Sequence, residues 1–286
     1  MHKSTPKKLY RKVRKTLLVD SRDRNPGQTP AKYTVTLPKV YENVYSVALR
    51  SAEMPFSWYT FTSEKQNISF EVTYNGGTPT KITIDEGNYT SASFVAELTS
   101  KLNTAFGVGA FTLTYSDTTL KVTFVGLQDF TFTFPDSIKR SSWWGLGYFM
   151  GFLNKSYTSV AKTLSSDTVL QLNITNYILM ELDFINKEDE TSADSRLSGN
   201  VDGCFAKITM PVGPGGYVFF REVGFPMNRS VLSPPLSQVK SLSVKFRDHY
   251  GTLIDFNNVD HSFTLEFELL DNNFDEYSSL EFSPLG

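Results

Sequence analysis

The stretch that decides the fold runs from Leu17 to Phe61 and reads LLVDSRDRNPGQTPAKYTVTLPKVYENVYSVALRSAEMPFSWYTF. Its side chains alternate in polarity over residues 32–37 and again over 44–50, which is the period-two pattern of half-buried β-strands. Asp20–Asn25 indicates a charged turn, because Asp, Ser and Asn side chains can hydrogen-bond their own backbone and a Pro-Gly pair follows. An all-β domain therefore begins here.

The composition extends this interpretation to the rest of the chain. Of the 286 residues, 23 are Phe and 14 are Tyr, a bias that suits pleated, half-buried surfaces better than helices. The length is enough for one large all-β domain or two smaller ones. Short segments of β character separated by Gly- and Pro-rich turns continue to residue 269, and they predict a two-sheet sandwich.

Residues 66–135 predict a compact unit with the element order ββαβββ. Two alternating segments flank the strong turn Asn75–Pro79, and three more occupy 111–134. Between them, Thr90 or Ser91 can cap a helix whose apolar side chains recur at helical spacing until two glycines end it. This is the one helix that the sequence predicts from a clear periodicity.

Two parts of the chain resemble a family of viral structural proteins. The first part combines the turn Asp20–Asn25 with the strands Tyr33–Pro38 and Val44–Pro55, and the second combines Phe220–Pro226, Leu242–Gly251 and His261–Leu269. Together they are similar to the jelly-roll minor capsid and penton proteins of large icosahedral double-stranded DNA viruses, the nucleocytoplasmic large DNA viruses such as those of algae. The resemblance covers about half of the chain.

This resemblance implies a jelly-roll β-sandwich formed by residues 16–65 and 136–270, with the 66–135 unit inserted in one loop. It also implies a structural component of a viral capsid that binds and cements neighbouring shell subunits. The expected partners are the major capsid protein, other minor capsid proteins and further copies of itself as a pentamer. The expected location is the capsid shell of a virion assembled in the host cytoplasm, and both the penton and the minor position stay open.

Motifs for catalysis or metal binding are absent from the sequence. It has three histidines, and neither an HExxH motif nor paired CxxC motifs occur. The one cysteine, Cys204, excludes an internal disulfide and fits a reducing compartment, and its place at the start of an apparent strand favours a buried thiol over a nucleophile. We therefore predict no enzyme activity, no cofactor, no metal and no small-molecule substrate. A hydrolase that uses two loop carboxylates is the remaining enzyme alternative.

Residues 1–15 predict a basic flexible arm on an acidic body. The first 16 residues hold seven of the 28 Lys and Arg residues and none of the 30 Asp and Glu residues. Such an arm suits the phosphates of a genome, an inner membrane surface or the acidic face of a neighbouring subunit, and a solubilising tail without a partner is the alternative. The candidate partner-binding residues are Lys3, Lys7, Lys8, Arg11, Lys12, Arg14 and Lys15.

Two further segments are candidate contact sites. Trp143–Leu153 is apolar, glycine-rich and aperiodic, so it either closes one end of the sandwich or forms an interface. Residues 271–286 form an acidic tail that either docks on a neighbouring subunit or frays. The candidate partner-binding residues here are Trp143, Trp144, Tyr148, Phe149, Phe274, Tyr277 and Phe282.

The alternative from a different functional class is a carbohydrate- or receptor-binding jelly-roll module on a virion or cell surface. The same fold serves lectins and capsid proteins, so the fold does not choose between them. Exposed aromatic pairs would form the binding platform, and Trp58–Tyr59 and Trp143–Trp144 are the candidates. No apolar stretch approaches the roughly 20 residues that span a bilayer.

Overall fold

The structure, a computed structural model, describes residues 11–134, 145–172, 176–185, 203–221, 228–249 and 251–271. These residues form two compact units. Unit 1 comprises the described parts of Met1–Trp58 and Thr175–Gly286, and unit 2 comprises those of Tyr59–Ile174. Antiparallel strands dominate both units, so the predicted all-β class and the jelly-roll-like sandwich are confirmed.

The elements are numbered along the chain. The strands are β1 (Arg11–Asp20), β2 (Lys32–Pro55), β3 (Ser69–Tyr74), β4 (Thr80–Thr83), β5 (Phe111–Tyr115), β6 (Val122–Gly126), β7 (Phe130–Thr133), β8 (Ser156–Thr158), β9 (Thr163–Ser165), β10 (Tyr177–Leu182), β11 (Ala206–Thr209), β12 (Tyr217–Arg221), β13 (Arg229–Arg247) and β14 (Ser262–Asp271). The helices are α1 (Ser91–Phe106) and α2 (Leu146–Phe149), and a 3-10 turn covers Ser21–Asp23.

Unit 1 is a curled seven-stranded sheet with the order β1-β14-β2-β13-β10-β11, in which β12 also pairs with β2. The long strands β2 and β13 contribute to both halves of the sandwich. The second half of β2 pairs with β14 and β12, whereas its first half pairs with the second half of β13. Register shifts in β13 mark where a bulge lets a strand bend. Phe246 then meets Phe263 across the core, with ring centroids 6.2 Å apart.

The core of unit 1 follows from strand alternation. In β14, Phe263, Leu265 and Phe267 are buried in this core, and Leu17 and Val19 of β1 join them. Alternate residues of a strand point to opposite faces, so the residues between them lie on the outward face of the sheet. The sequence pattern thereby sets which side chains face a neighbour or solvent.

Unit 2 packs α1 with two small sheets, β4-β3-β7-β8 and β5-β6-β9. The predicted order ββαβββ is confirmed for β3, β4, α1, β5, β6 and β7. Phenylalanines dominate its core, and the fully buried ones are Phe61, Phe70, Phe94, Phe111, Phe124, Phe130 and Phe132. Strand β7 does not continue the meander after β6 but pairs with β3, which links the first and last strands of the predicted unit.

Local chemistry sets the ends of the elements in unit 2. Thr90 caps α1 by accepting a hydrogen bond from the N–H of Ser93, and the Ser93 hydroxyl accepts one from the N–H of Thr90, as predicted for a threonine cap. Gly107 ends the helix with a φ of +111°. Between β3 and β4, Asn75 and Gly76 both have positive φ, which is the backbone that a tight hairpin turn requires.

Unit 2 is longer than the predicted insert of residues 66–135. It also contains α2, β8 and β9, although the sequence predicts these residues as part of the sandwich. Strand β8 pairs with β7 and β9 pairs with β6, so the partners of these short strands lie inside unit 2. Each has only three residues, which is too short for an alternating pattern to predict.

The predicted flexible arm of residues 1–15 differs from the structure in its last part. Residues 11–15 belong to β1, where Arg11 stands opposite Asp271 and Lys15 stands opposite Phe267. Backbone pairing with β14 therefore orders this part of the arm. Residues 1–10 lie outside the described residues.

Candidate functional site

A network of charged side chains crosses the outward face of unit 1. Strands β1, β14, β2 and β13 are neighbours in that order. Their register places Arg14 opposite Glu268, and Glu268 opposite Ser46. One pair further along, Glu266 stands opposite Ala48, and Ala48 stands opposite Arg229. Residues far apart in sequence thus meet on one surface.

Arg229 joins the two carboxylates of β14. Its guanidinium donates to Oε1 of Glu266 at 2.7 Å and lies 2.9 Å from Oε2 of Glu268. It also donates to the hydroxyl of Ser46 at 2.9 Å. From β2, Arg50 donates to the second oxygen of Glu266 at 2.6 Å. The rigid guanidinium fork suits such shared carboxylate contacts better than the single ammonium group of Lys does.

The basic residues of β1 complete the network from the other side. Arg14 donates through Nε to Oε1 of Glu268 at 3.2 Å, and Nζ of Lys12 lies 3.9 Å from Oε2 of Glu268. Lys12 also sits over the ring of Tyr45, 4.1 Å from its centroid. Only 8% of the Glu268 side chain is exposed, so three cations enclose one carboxylate.

The network keeps both carboxyl groups ionised. Burial raises the pKa of Glu266, but the hydrogen bonds from Arg50 and Arg229 outweigh it, and its pKa lies below the ordinary value. Burial likewise raises the pKa of Glu268, and the Ser46 hydroxyl together with nearby cations lowers it further than burial raises it. A paired carboxylate of this kind is a fixed element of charge rather than a proton donor at neutral pH.

The predicted charged turn ties β1 to the start of β14. The buried Ser21 donates to Oδ1 of Asp260 at 2.7 Å and accepts the N–H of His261 at 2.9 Å. Arg24 donates to the same Asp260 oxygen, and Asp20 accepts the N–H of Arg22 at 2.9 Å, which closes the 3-10 turn. These contacts fix where β1 ends.

His261 is buried beside this turn. Its Nε2 lies 2.9 Å from the carbonyl oxygen of Pro30, and its ring contacts Tyr33, Phe246 and Phe256. Burial lowers the pKa of His261 to about 4, so the ring is neutral at physiological pH. The surroundings are those of a core side chain.

The structure places only some of the predicted site residues. Arg11, Lys12, Arg14 and Lys15 lie on β1, and among these Lys12 and Arg14 enter the network. Lys3, Lys7, Lys8, Trp143, Trp144, Phe274, Tyr277 and Phe282 lie outside the described residues. Phe149 is buried in the core of unit 2, which corrects its prediction as a contact residue. Tyr148 is half-buried against the same core, and burial of the apolar side chains around it explains both placements.

The aromatic platform predicted at Trp58 is wrong. Trp58 is 2% exposed and stacks on Phe56 with ring centroids 4.2 Å apart, because β2 carries this end of the chain into the core. Sequence reasoning missed a different pair, Tyr217 and Phe219 on β12, whose rings are stacked with centroids 6.0 Å apart. Their exposed fractions are 46% and 76%. The alternation of these two residues with Val218 and Phe220 was the sequence signal that they share one face of a strand.

Sequence reasoning also missed Arg50, Arg229, Glu266 and Glu268. The signal for the two glutamates is visible, since both alternate with apolar residues in the last strand. Within the described residues, no group of three or more His, Cys, Asp or Glu side chains is placed to hold a metal ion. In the same part of the chain, no helix combines the length and apolar character needed to cross a membrane. Cys204 is buried, as predicted.

Comparison with known proteins finds similarity to solved structures but not to known sequences. No protein-family model matches the chain, and no curated protein sequence matches it. Among solved structures, the chain is similar to the crystal structure of the selenomethionine-labelled mavirus penton protein, with a TM-score of 0.46 and 10% sequence identity. The match covers 91% of this chain and 99% of the mavirus chain.

Proposed function

We propose that this protein is a structural component of a large icosahedral viral capsid, in a minor capsid or penton position, that binds and cements neighbouring shell subunits. One observation carries the proposal. Leu17–Phe61, the first stretch with the family resemblance, contains the last four residues of β1 and all of β2, and Phe220–Leu269 contains β13 and most of β14. These four strands are neighbours in one sheet, so the resemblance belongs to one structural unit.

The proposed mechanism is stoichiometric assembly, in which surface is buried and no covalent bond changes. A stable interface buries on the order of 800 Å² on each partner, and it gains affinity when its side chains are already ordered. The network around Glu266 and Glu268 holds six side chains of three strands in fixed positions, namely Lys12, Arg14, Tyr45, Ser46, Arg50 and Arg229. This outward face therefore meets a neighbour without first having to order these groups.

The partners that this function requires are the major capsid protein, other minor capsid proteins and further copies of the chain. The exposed apolar side chains of Leu18 and Phe219 on the same face supply the surface that such contacts bury. The proposed location is the capsid shell of the virion, with assembly in the host cytoplasm. Contact of residues 1–10 with a genome or an inner membrane stays a separate prediction.

The test is the position and copy number of this protein in purified particles. Quantitative mass spectrometry and cryo-electron microscopy should find either five copies at each vertex, which identifies a penton, or copies beneath the facets, which identifies a minor capsid protein. Phe219→Asp should lower incorporation, and Val108→Asp, at a fully exposed position of unit 2, serves as its matched control. Particles that assemble without the protein would contradict the proposal.

The stacked pair Tyr217 and Phe219 favours a second candidate function, glycan binding. Their rings are inclined by 29°, and the hydroxyl of Tyr217 donates to the carbonyl of Asp260 at 3.1 Å, which fixes this ring. A flat exposed aromatic surface can stack on a sugar ring. Glycan-array binding that Phe219→Ala abolishes and Tyr59→Ala leaves intact would support this function. A protein that binds no glycan and enters particles would exclude it.

A further inference from the structure

Strand β1 is an edge of the unit 1 sheet. It pairs with β14 along all ten residues, and no other described strand pairs with it. The N–H of Ser21 donates to the carbonyl of His261 at 2.9 Å and continues the same register. Hydrogen-bonded and non-hydrogen-bonded pairs alternate in an antiparallel ladder, so the odd-numbered residues of β1 direct their backbone groups to β14. The even-numbered residues, from Lys12 to Leu18, direct theirs to the open edge.

The charge of this edge limits what can pair with it. Residues 11–15 contain four cations within five positions. If β1 strands from two copies paired so that their residues 11–15 overlapped, like charges would come together. Like charges on paired strands are destabilising. An extended acidic segment is instead attracted electrostatically by the same cations. The open backbone groups then supply hydrogen bonds, as in other cases of strand addition to a sheet edge.

The chain contains one such segment directly after β14. Residues 272–286, outside the described residues, include Asp275, Glu276 and Glu281 and no Lys or Arg. Strand β14 ends at Asp271, opposite Arg11, so this segment starts beside the first residue of β1. To reach the open edge of its own β1 it would have to run parallel to that strand. The same segment of a second copy can instead add antiparallel to β1, and antiparallel pairing is slightly more stable per residue than parallel pairing.

We propose that the open edge of β1 binds residues 272–286 of a second copy of this chain as an added strand. The inference deepens the proposed function and rests on it for its biological setting, since exchange of this segment joins neighbouring copies in a shell. The contact is heterologous, because an edge on one copy meets a tail on the next, and contacts of this kind form a ring when the rotation between copies closes and an open filament when it does not. Five copies around an axis are one such ring.

The test measures self-association of the full-length chain by analytical ultracentrifugation at roughly 1 to 100 µM. Wild-type protein should associate, and added salt should weaken the association because opposite charges attract across the contact. Thr16→Pro removes a backbone donor from the open edge without removing a β1–β14 hydrogen bond, so it should weaken association about tenfold. Thr16→Ala, which keeps that donor, is the matched control.

A charge exchange tests whether the segment acts between copies. One variant carries Arg11→Glu and Lys15→Glu, and the other carries Glu276→Lys and Glu281→Lys. Each alone should associate about tenfold more weakly than wild type, and an equimolar mixture should regain association, because each edge then meets a tail of opposite charge. Thermal unfolding of each variant verifies that it is folded. A wild-type monomer at 100 µM, or a mixture that regains nothing, overturns the proposal.

Particle incorporation separates this inference from the proposed function. A wild-type chain that stays monomeric in solution but enters particles overturns the edge pairing and leaves the capsid role in place. A chain that associates through β1 but is absent from particles overturns the capsid role and leaves the edge pairing in place. Normal self-association of the Thr16→Pro variant together with lost incorporation would assign the edge to an acidic segment of another shell protein, which also overturns the proposal.

Discussion

The two units of this protein reach the same all-β class by different routes. In unit 2, two local pairs, β3 with β4 and β5 with β6, surround a core of phenylalanines together with the other strands of the same chain segment. In unit 1, β1 pairs with β14 from the far end of the chain, and the sheet carries buried carboxylates and a buried histidine. Unit 2 therefore depends on apolar packing, whereas unit 1 also depends on charge and pH.

The largest expected effect on stability comes from removing apolar packing in the core of unit 2. Phe132 is fully buried, and its ring lies against those of Phe70 and Phe124 at centroid distances of 5.1 and 5.0 Å. Phe132→Ala should lower the free energy of unfolding of unit 2 by about 3 to 5 kcal/mol, because it removes burial and leaves a cavity. Urea denaturation measures the loss. Phe219→Ala, at an exposed phenylalanine of unit 1, is the control and should change stability by less than about 0.5 kcal/mol.

The second prediction concerns pH and unit 1. The pKa of His261 is about 4 in the folded chain against an ordinary value of 6.5, so the unfolded chain binds more protons between these values. Stability from this residue is complete above pH 6.5 and falls by up to about 3 kcal/mol as the pH drops towards 4. Denaturant unfolding between pH 7 and 4.5 measures it before the carboxylates of the network are protonated.

His261→Gln is the matched variant for this pH experiment. Its side chain can still donate to the carbonyl of Pro30, but it does not titrate. The variant should be less stable at pH 7 and should show a flatter pH profile down to pH 4.5. An unchanged slope in that interval would refute the role of His261.

The third prediction concerns a substitution that removes one cation from the charged network of unit 1. Arg229→Met removes the cation shared by Glu266 and Glu268, and Arg50, Arg14 and Lys12 remain. Loss of one member of a buried ion pair costs about 3 to 5 kcal/mol, and the remaining cations reduce the expected loss here to about 2 kcal/mol. Chemical denaturation at two salt concentrations measures it. The control, Lys245→Met, breaks a more exposed pair with Glu181 and should cost less than about 1 kcal/mol.

The smallest expected effect tests local structure in unit 2. Thr90→Ala removes the side-chain cap of α1 and should cost about 1 kcal/mol. Thr104→Ala, at an exposed position inside the same helix, removes only a bond to the carbonyl of Ser100 and should be neutral or slightly stabilising. Thermal unfolding of both variants gives the comparison, and equal losses would contradict a capping role.

Prediction from sequence succeeded where the information is local. The alternation in Phe111–Tyr115 and the cap at Thr90 depend on residues within a few positions, and the structure has both elements there. Prediction from sequence was less complete for β2, where two separate strands were predicted. The structure has one strand from Lys32 to Pro55, because β13 pairs on both sides of Pro38 and Asn43, where the alternation is interrupted.

The candidate site was the hardest part to predict. Four cations of β1 were identified, but Glu268, the partner of Lys12 and Arg14, lies more than 250 positions away, and Arg229 reaches it from a third strand. Nothing local to Arg229 marks it as a contact of two carboxylates. The exposed pair Tyr217 and Phe219 was equally hidden, because the alternation of β12 indicates two faces without indicating which one is outward.

The sequence by itself determined the all-β class, the one long helix with its cap, and the segregation of basic and acidic residues towards the two ends of the chain. Only the tertiary structure decided that those ends meet as β1 and β14, that a third strand supplies Arg229, and that β1 with its four cations is the outermost strand among the described strands of this sheet. The physical reason is that side-chain periodicity and capping act over a few residues. Strand partners and ion pairs form between chain segments that only folding brings together.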